Sequence, residues 1–100
     1  MKEIEIEWNG KKAIVRMKRL TFGELNQIQD LSADIKFFNG QPQVSLKQSV
    51  MREQSLLKAI VEAPFPISLE EIRKLDYAIG NLLFEEFSTL NSQEEKKNVT

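Results

Sequence analysis

The sequence predicts an α+β domain, mostly α, in which an N-terminal β-hairpin packs on three helices. Three observations lead there. Apolar and charged residues alternate on both sides of Asn9-Gly10, capping sequences stand at Thr21 and Ser68, and a Pro-Phe-Pro corner at 64–66 separates the last two helices. A chain of 100 residues fits one domain. That domain is expected over 1–90, with a disordered tail over 91–100, where NSQEEKKNVT lacks apolar periodicity.

The hairpin is expected over 3–18. Asn9 and Gly10 both tolerate the positive φ of a two-residue turn, which sets Trp8 opposite Lys11 and carries the register back to Glu3 opposite Arg16. In that register Ile4, Ile6, Trp8, Ala13, Val15 and Met17 share one face. Glu3, Glu5, Glu7, Lys12, Arg16 and Lys18 share the other, as opposite charges. A slip of one residue would scramble both faces. Ile14 alone breaks the pattern. It reads as a scattered surface residue or as a contact for a partner or third strand. A two-stranded hairpin is marginal in water, so its apolar face must lie on the helices.

Thr21-Phe22-Gly23-Glu24 is a capping-box sequence and opens a helix over about 22–33, with Leu25, Ile28 and Leu31 on one face. Residues 35–44 read as a loop around Asn39-Gly40 and Pro42, carrying the adjacent Phe37 and Phe38. These phenylalanines either fold back over the core or stand out for binding. Ser45 can cap a second helix over about 46–62, which Pro64 and Pro66 stop. Ser68-Leu69-Glu70-Glu71 caps a third helix over about 69–90, with an inner stripe of Ile72, Leu75, Ile79, Leu82/Leu83, Phe87 and Leu90. Asp76, mid-helix, competes for backbone bonds and is a point where the helix can break or re-cap.

Composition excludes much chemistry. With neither His nor Cys, there is no Ser-His-Asp or Cys-His nucleophile system, no disulfide and no thiolate or imidazole metal site. The adjacent pairs Glu70/Glu71, Glu85/Glu86 and Glu94/Glu95 point about 100° apart on a helix and do not converge. No catalytic residue, cofactor or metal site is expected, and the chain is read as a non-enzyme. No stretch is long and apolar enough for a membrane span, and no signal core follows Met1, so a cytoplasmic location is expected. The net charge of −1, and the glutamates facing Lys11, Lys12, Arg16, Lys18 and Arg19, argue against nucleic acid.

What remains is surface. The third helix is apolar over much of its circumference, so it is either covered on both sides by its own domain or shared with a partner. The candidate protein-interaction residues are Leu69, Ile72, Tyr77, Gly80, Phe84 and Phe87, with Phe37 and Phe38 as a second patch. Gly80 weakens the helix or admits the close approach of another one. A domain of this size has little stability to spare, and association with itself or with another protein would relieve that.

Leu20-Thr21-Phe22-Gly23-Glu24 at the first helix start, Val61-Glu62-Ala63-Pro64 after the second, and Leu75-Asp76 running to Phe87, Leu90 and Asn91 carry a likeness over most of the chain. In these the chain resembles the small tail assembly chaperones of long-tailed bacteriophages and related proviruses. It departs from their pattern at Tyr77, where glycine is usual. The resemblance implies a non-enzymatic protein of the host cytoplasm that coats the tape-measure protein, keeps its apolar helices soluble, helps recruit tail-tube subunits and forms homo-oligomers. The alternative is a small nucleic-acid-binding regulator with a winged-helix-like arrangement. For that role the helix at 46–62 is poor, offering Lys47, Arg52 and Lys58 against Glu53 and Glu62.

Overall fold

Asn9 and Gly10 take φ of 53° and 77°, the backbone of a hairpin turn whose twist matches the flanking strands. In the computed structural model, which describes residues 1–98 and their side chains as far as Ser92, this turn joins β1 (Lys2–Trp8) to β2 (Lys11–Met17). The register is the one that the alternation predicts, from Trp8 opposite Lys11 to Glu3 opposite Arg16. Ile4, Ile6, Val15 and Met17 are buried. On the other face Glu3 pairs with Arg16 at 3.1 Å and Glu5 with Lys12 at 3.5 Å.

α1 (Phe22–Ser32) starts as expected. The Thr21 N–H donates to Glu24 Oε1 at 3.0 Å, and the Glu24 N–H donates back to Thr21 Oγ1 at 3.2 Å. The Thr21 amide first, and the nearby Lys18 ammonium second, hold the Glu24 carboxyl below its ordinary value of 4.5. Ile28 is buried, but Leu31, expected on the same face, is exposed. The helix ends where the chain turns extended at Ala33.

The expected loop at 35–44 is instead a second hairpin. β3 (Ala33–Phe38) pairs antiparallel with β4 (Gln41–Leu46) across Asn39-Gly40, whose φ values of 52° and 75° repeat the first turn. The same turn dipeptide had the same cause in both places. Pro42 sits next to the turn, paired with Phe37, on a strand whose outer edge is free, where a missing N–H is tolerated. None of residues 33–46 joins the core. The hairpin is an arm, tied at its base by the Lys47 N–H donating to the Ser32 carbonyl at 2.8 Å.

α2 (Gln48–Ala59) is shorter than expected at both ends. Ser45 lies in β4, and Lys47 takes the cap position without a side-chain bond. At the other end the β-branched Ile60-Val61 leaves the helix to form β5 (Ile60–Glu62), which pairs with the outer edge of β2 and gives a sheet of order β1-β2-β5. A third strand therefore exists, but it meets β2 at Arg16 and Met17, not at Ile14.

The expected third helix is two. α3 (Leu69–Arg73) is capped by Ser68, whose hydroxyl accepts from the Glu71 N–H at 3.3 Å. α4 (Tyr77–Asn98) starts afresh at Asp76, whose carboxylate accepts from the Ala78 N–H at 3.0 Å and whose carbonyl accepts from the Gly80 N–H at 2.9 Å. The α4 backbone runs through Asn98, so helix replaces the tail expected from residue 91; Val99 and Thr100 lie outside the described residues. The whole is a balanced α+β fold, two antiparallel sheets and four helices among the described residues, and not a mostly α one.

The core lies between the first sheet and the helices. Val15, Met17 and Leu83 of α4 are fully buried, with Phe87, Ile72, Leu56 and Ile28 around them. Phe65, between the two prolines, is buried as well, its ring centroid 5.2 Å from that of Trp8. Asn91 locks α4 down. Its side-chain oxygen accepts from the Leu20 N–H at 3.0 Å, 71 residues away, while its amide donates to the Phe87 carbonyl at 2.9 Å. Replacing Asn91 with alanine strands the Leu20 N–H of a buried residue and should cost about 1–3 kcal/mol, read as a lower urea midpoint at an unchanged slope.

Candidate functional site

The break at Asp76 separates α3 from α4, and a groove lies between α2, α3 and α4. Its volume is about 210 Å³. Helix α4 supplies Tyr77, Gly80, Asn81 and Phe84, spaced i, i+3, i+4 and i+7, which is one stripe of a helix. It is not the stripe that Leu83 and Phe87 bury under the sheet. Helix α4 thus has two stripes, an apolar one spent on the core and a mixed one facing the groove, aromatic at Tyr77 and Phe84 and polar at Asn81; Phe84 also packs against the core from its partly buried side. Leu56 of α2 and Ile72 of α3, both buried, form the floor.

The rim is charged on both signs. Arg73 Nε donates to Glu53 Oε1 at 3.1 Å and links α3 to α2. The Arg52 guanidinium stands 5.8 Å from the centre of the Phe84 ring, a cation–π arrangement, and Phe84 stacks on Phe87 with centroids 5.8 Å apart. Tyr77 is 74% exposed at the mouth. A Cβ built on Gly80 meets nothing within 4 Å, so the glycine leaves open space and, among the described residues, no other helix approaches it that closely. The volume is below the ~300 Å³ at which small-molecule pockets begin. It suits one or two side chains of a docking segment.

Four of the eight expected interaction residues meet here: Ile72, Tyr77, Gly80 and Phe84. Phe87 is a core residue, 7% exposed, and reaches the groove only through its stack on Phe84. Leu69 lines a separate hollow with Glu70, Arg73 and Lys74, adjoining the groove at Arg73. Phe37 and Phe38 lie on the arm, both exposed, on opposite faces of β3. The α2 wall of Arg52, Glu53 and Leu56 was not foreseen. Its signal was the i, i+4 spacing of Arg52 and Leu56 on the face that meets the last helix.

Among the described residues no three His, Cys, Asp or Glu side chains gather to hold a metal ion, and no helix is long and apolar enough to cross a membrane. Of the basic residues after the first turn, three are matched by acids: Lys12 by Glu5, Arg16 by Glu3 and Glu62, and Lys18 by Glu24. Comparison with family models, with curated proteins and with solved structures finds no match. Because Gly80 faces open space inside a helix, Gly80→Ala should stabilise the protein by about 0.5–1 kcal/mol in thermal or urea unfolding. A loss of stability there would mean that the groove is closed in solution.

Proposed function

We propose that the chain is a non-enzymatic assembly chaperone or adaptor of the phage or provirus tail type, working in the host cytoplasm by sheltering apolar helices of another protein, with the tape-measure protein as the client. The observation that carries this reading is the second stripe of α4, aromatic at Tyr77 and Phe84 with Asn81 between them. Tyr77, Gly80 and Phe84 line an open groove at helical spacing, at a residue whose missing side chain makes room. An amphipathic helix presents its anchors at the same spacing, so one anchor side chain enters the groove beside Gly80 while the flanking helix turns lie on Tyr77 and Phe84. The rim pairs of Arg73 with Glu53 and Arg52 with Phe84 offer partners to charges of either sign on the client. The resemblance of the Leu20–Glu24 and Leu75–Asn91 segments to tail assembly chaperones supports the choice of the tape-measure protein as client.

The nucleic-acid reading gains nothing from the pairing of Lys12, Arg16 and Lys18 with acids, which leaves little free positive field on that face. The test of the chaperone reading is aggregation of an apolar amphipathic-helix segment of a tape-measure protein, followed by light scattering. Near-equimolar protein should suppress it, and Gly80→Leu, which fills the groove, should abolish the suppression with the fold retained. Aggregation unaffected by the wild-type protein, or suppressed equally by Gly80→Leu, would contradict the proposal.

A further inference from the structure

The arm formed by β3 and β4 has a feature that the groove does not explain. Strand alternation places Ala33, Ile35 and Phe37 on one face of the arm, opposite Leu46, Val44 and Pro42 across the ladder. That face carries no charge. It is also bare: Ile35 is 60% exposed, Phe37 75%, Val44 66% and Leu46 41%. The other face holds Asp34, Lys36, Gln41, Gln43 and Ser45 with Phe38, and there Lys36 and Asp34 neutralise one another at 3.7 Å. A two-stranded hairpin with no third layer is marginal in water. Here the sequence spends β-branched and aromatic residues on one face, and the domain's own core takes none of them.

We infer that this face is the dimer interface of the chain, covered by the same face of a second copy. Its area and its self-complementarity both suit such a contact. A large aliphatic side chain hides on the order of 100 Å² when covered, and a phenylalanine about 150–200 Å². With Ala33 and Pro42 added, one arm offers roughly 550 Å². Two arms together cover roughly 1,100 Å², which clears the about 1,000 Å² expected of a specific interface. A twofold contact sets each residue against a copy of the same patch, so any charge on the face would meet its like. This face has none, and the net charge of −1 adds little repulsion between copies. The result is a small β-sandwich, two hairpins face to face about 10 Å apart. It goes beyond the chaperone reading in placing self-association on the arm, and it does not depend on the groove.

Sedimentation of the full chain over a micromolar-to-millimolar series tests it. The wild type should show a reversible monomer–dimer equilibrium. Phe37→Ser with Val44→Ser should raise the dissociation constant about a hundredfold or more. Lys36→Ser with Gln43→Ser, on the other face of the same strands, should leave it within about threefold. Backbone amide shifts of the wild type should move with concentration in residues 33–46. A wild type that stays monomeric throughout, or a dimer indifferent to the Phe37/Val44 variant, or concentration-dependent shifts confined to other residues, would overturn the inference. Circular dichroism checks that the variant keeps its fold. The monomeric variant should still suppress aggregation of the helical segment, so a failure of either proposal is read separately.

Discussion

An uncharged sheet face has to be covered, and the domain is arranged around doing this once. Ile4, Ile6, Val15 and Met17 project from one side of the first hairpin, each worth about 1.5–3 kcal/mol when buried. Helix α4 covers them with Leu83 and Phe87, and the chain's other decisions serve that contact. Ile60-Val61 leaves α2 to widen the sheet, Phe65 fills the corner beside Trp8, and Asn91 ties the far part of α4 to the backbone of Leu20. The helix break at Asp76 belongs to the same scheme. It lets α3 stay short and pack on α2, while α4 takes a separate course along β1, where Lys2 pairs with Glu86.

The second hairpin is built by the same rules and left without a cover. Its turn has the same dipeptide and the same backbone angles as the first, and its faces divide in the same way. What differs is the third layer: among the described residues nothing returns over Ile35, Phe37 and Val44. The two unspent apolar surfaces, the arm and the groove beside Gly80, are therefore separate in kind. One is a flat strand face suited to its own likeness, the other a notch between helices suited to a helix.

The register of the first hairpin was legible to the residue, because charge alternation on one face and apolar alternation on the other admit a single register. The caps at Thr21 and Ser68 were legible for the same local reason. The second hairpin was missed although Asn39-Gly40 is the signal used at Asn9-Gly10. Phe37, Phe38 and Pro42 near the turn drew the reading toward a loop, and β4, with Gln41, Pro42 and Gln43, has weak strand propensity. Strand β5 was hidden in the last turn of an expected helix, since its pairing with β2 is long-range and three residues show no period. Tyr77, Gly80 and Phe84 fell together in the groove because they sit on one stripe of α4, and Ile72 of α3 meets them from across the break. Phe87 did not, because two stripes on one helix cannot be assigned to core and surface without knowing which side the sheet occupies.

The two hairpins, one extended by β5 and one not, differ above all in what covers them: α4 covers the first, and a second copy is the cover proposed for the other. Native-state amide hydrogen exchange at two protein concentrations measures this most directly. The amides of β1 and β2 should be protected to the same degree at both, at the level of global unfolding. Those of β3 and β4 should be weakly protected when dilute and gain protection on concentration. Arm amides as protected as those of the first hairpin in dilute solution, with no dependence on concentration, would contradict it.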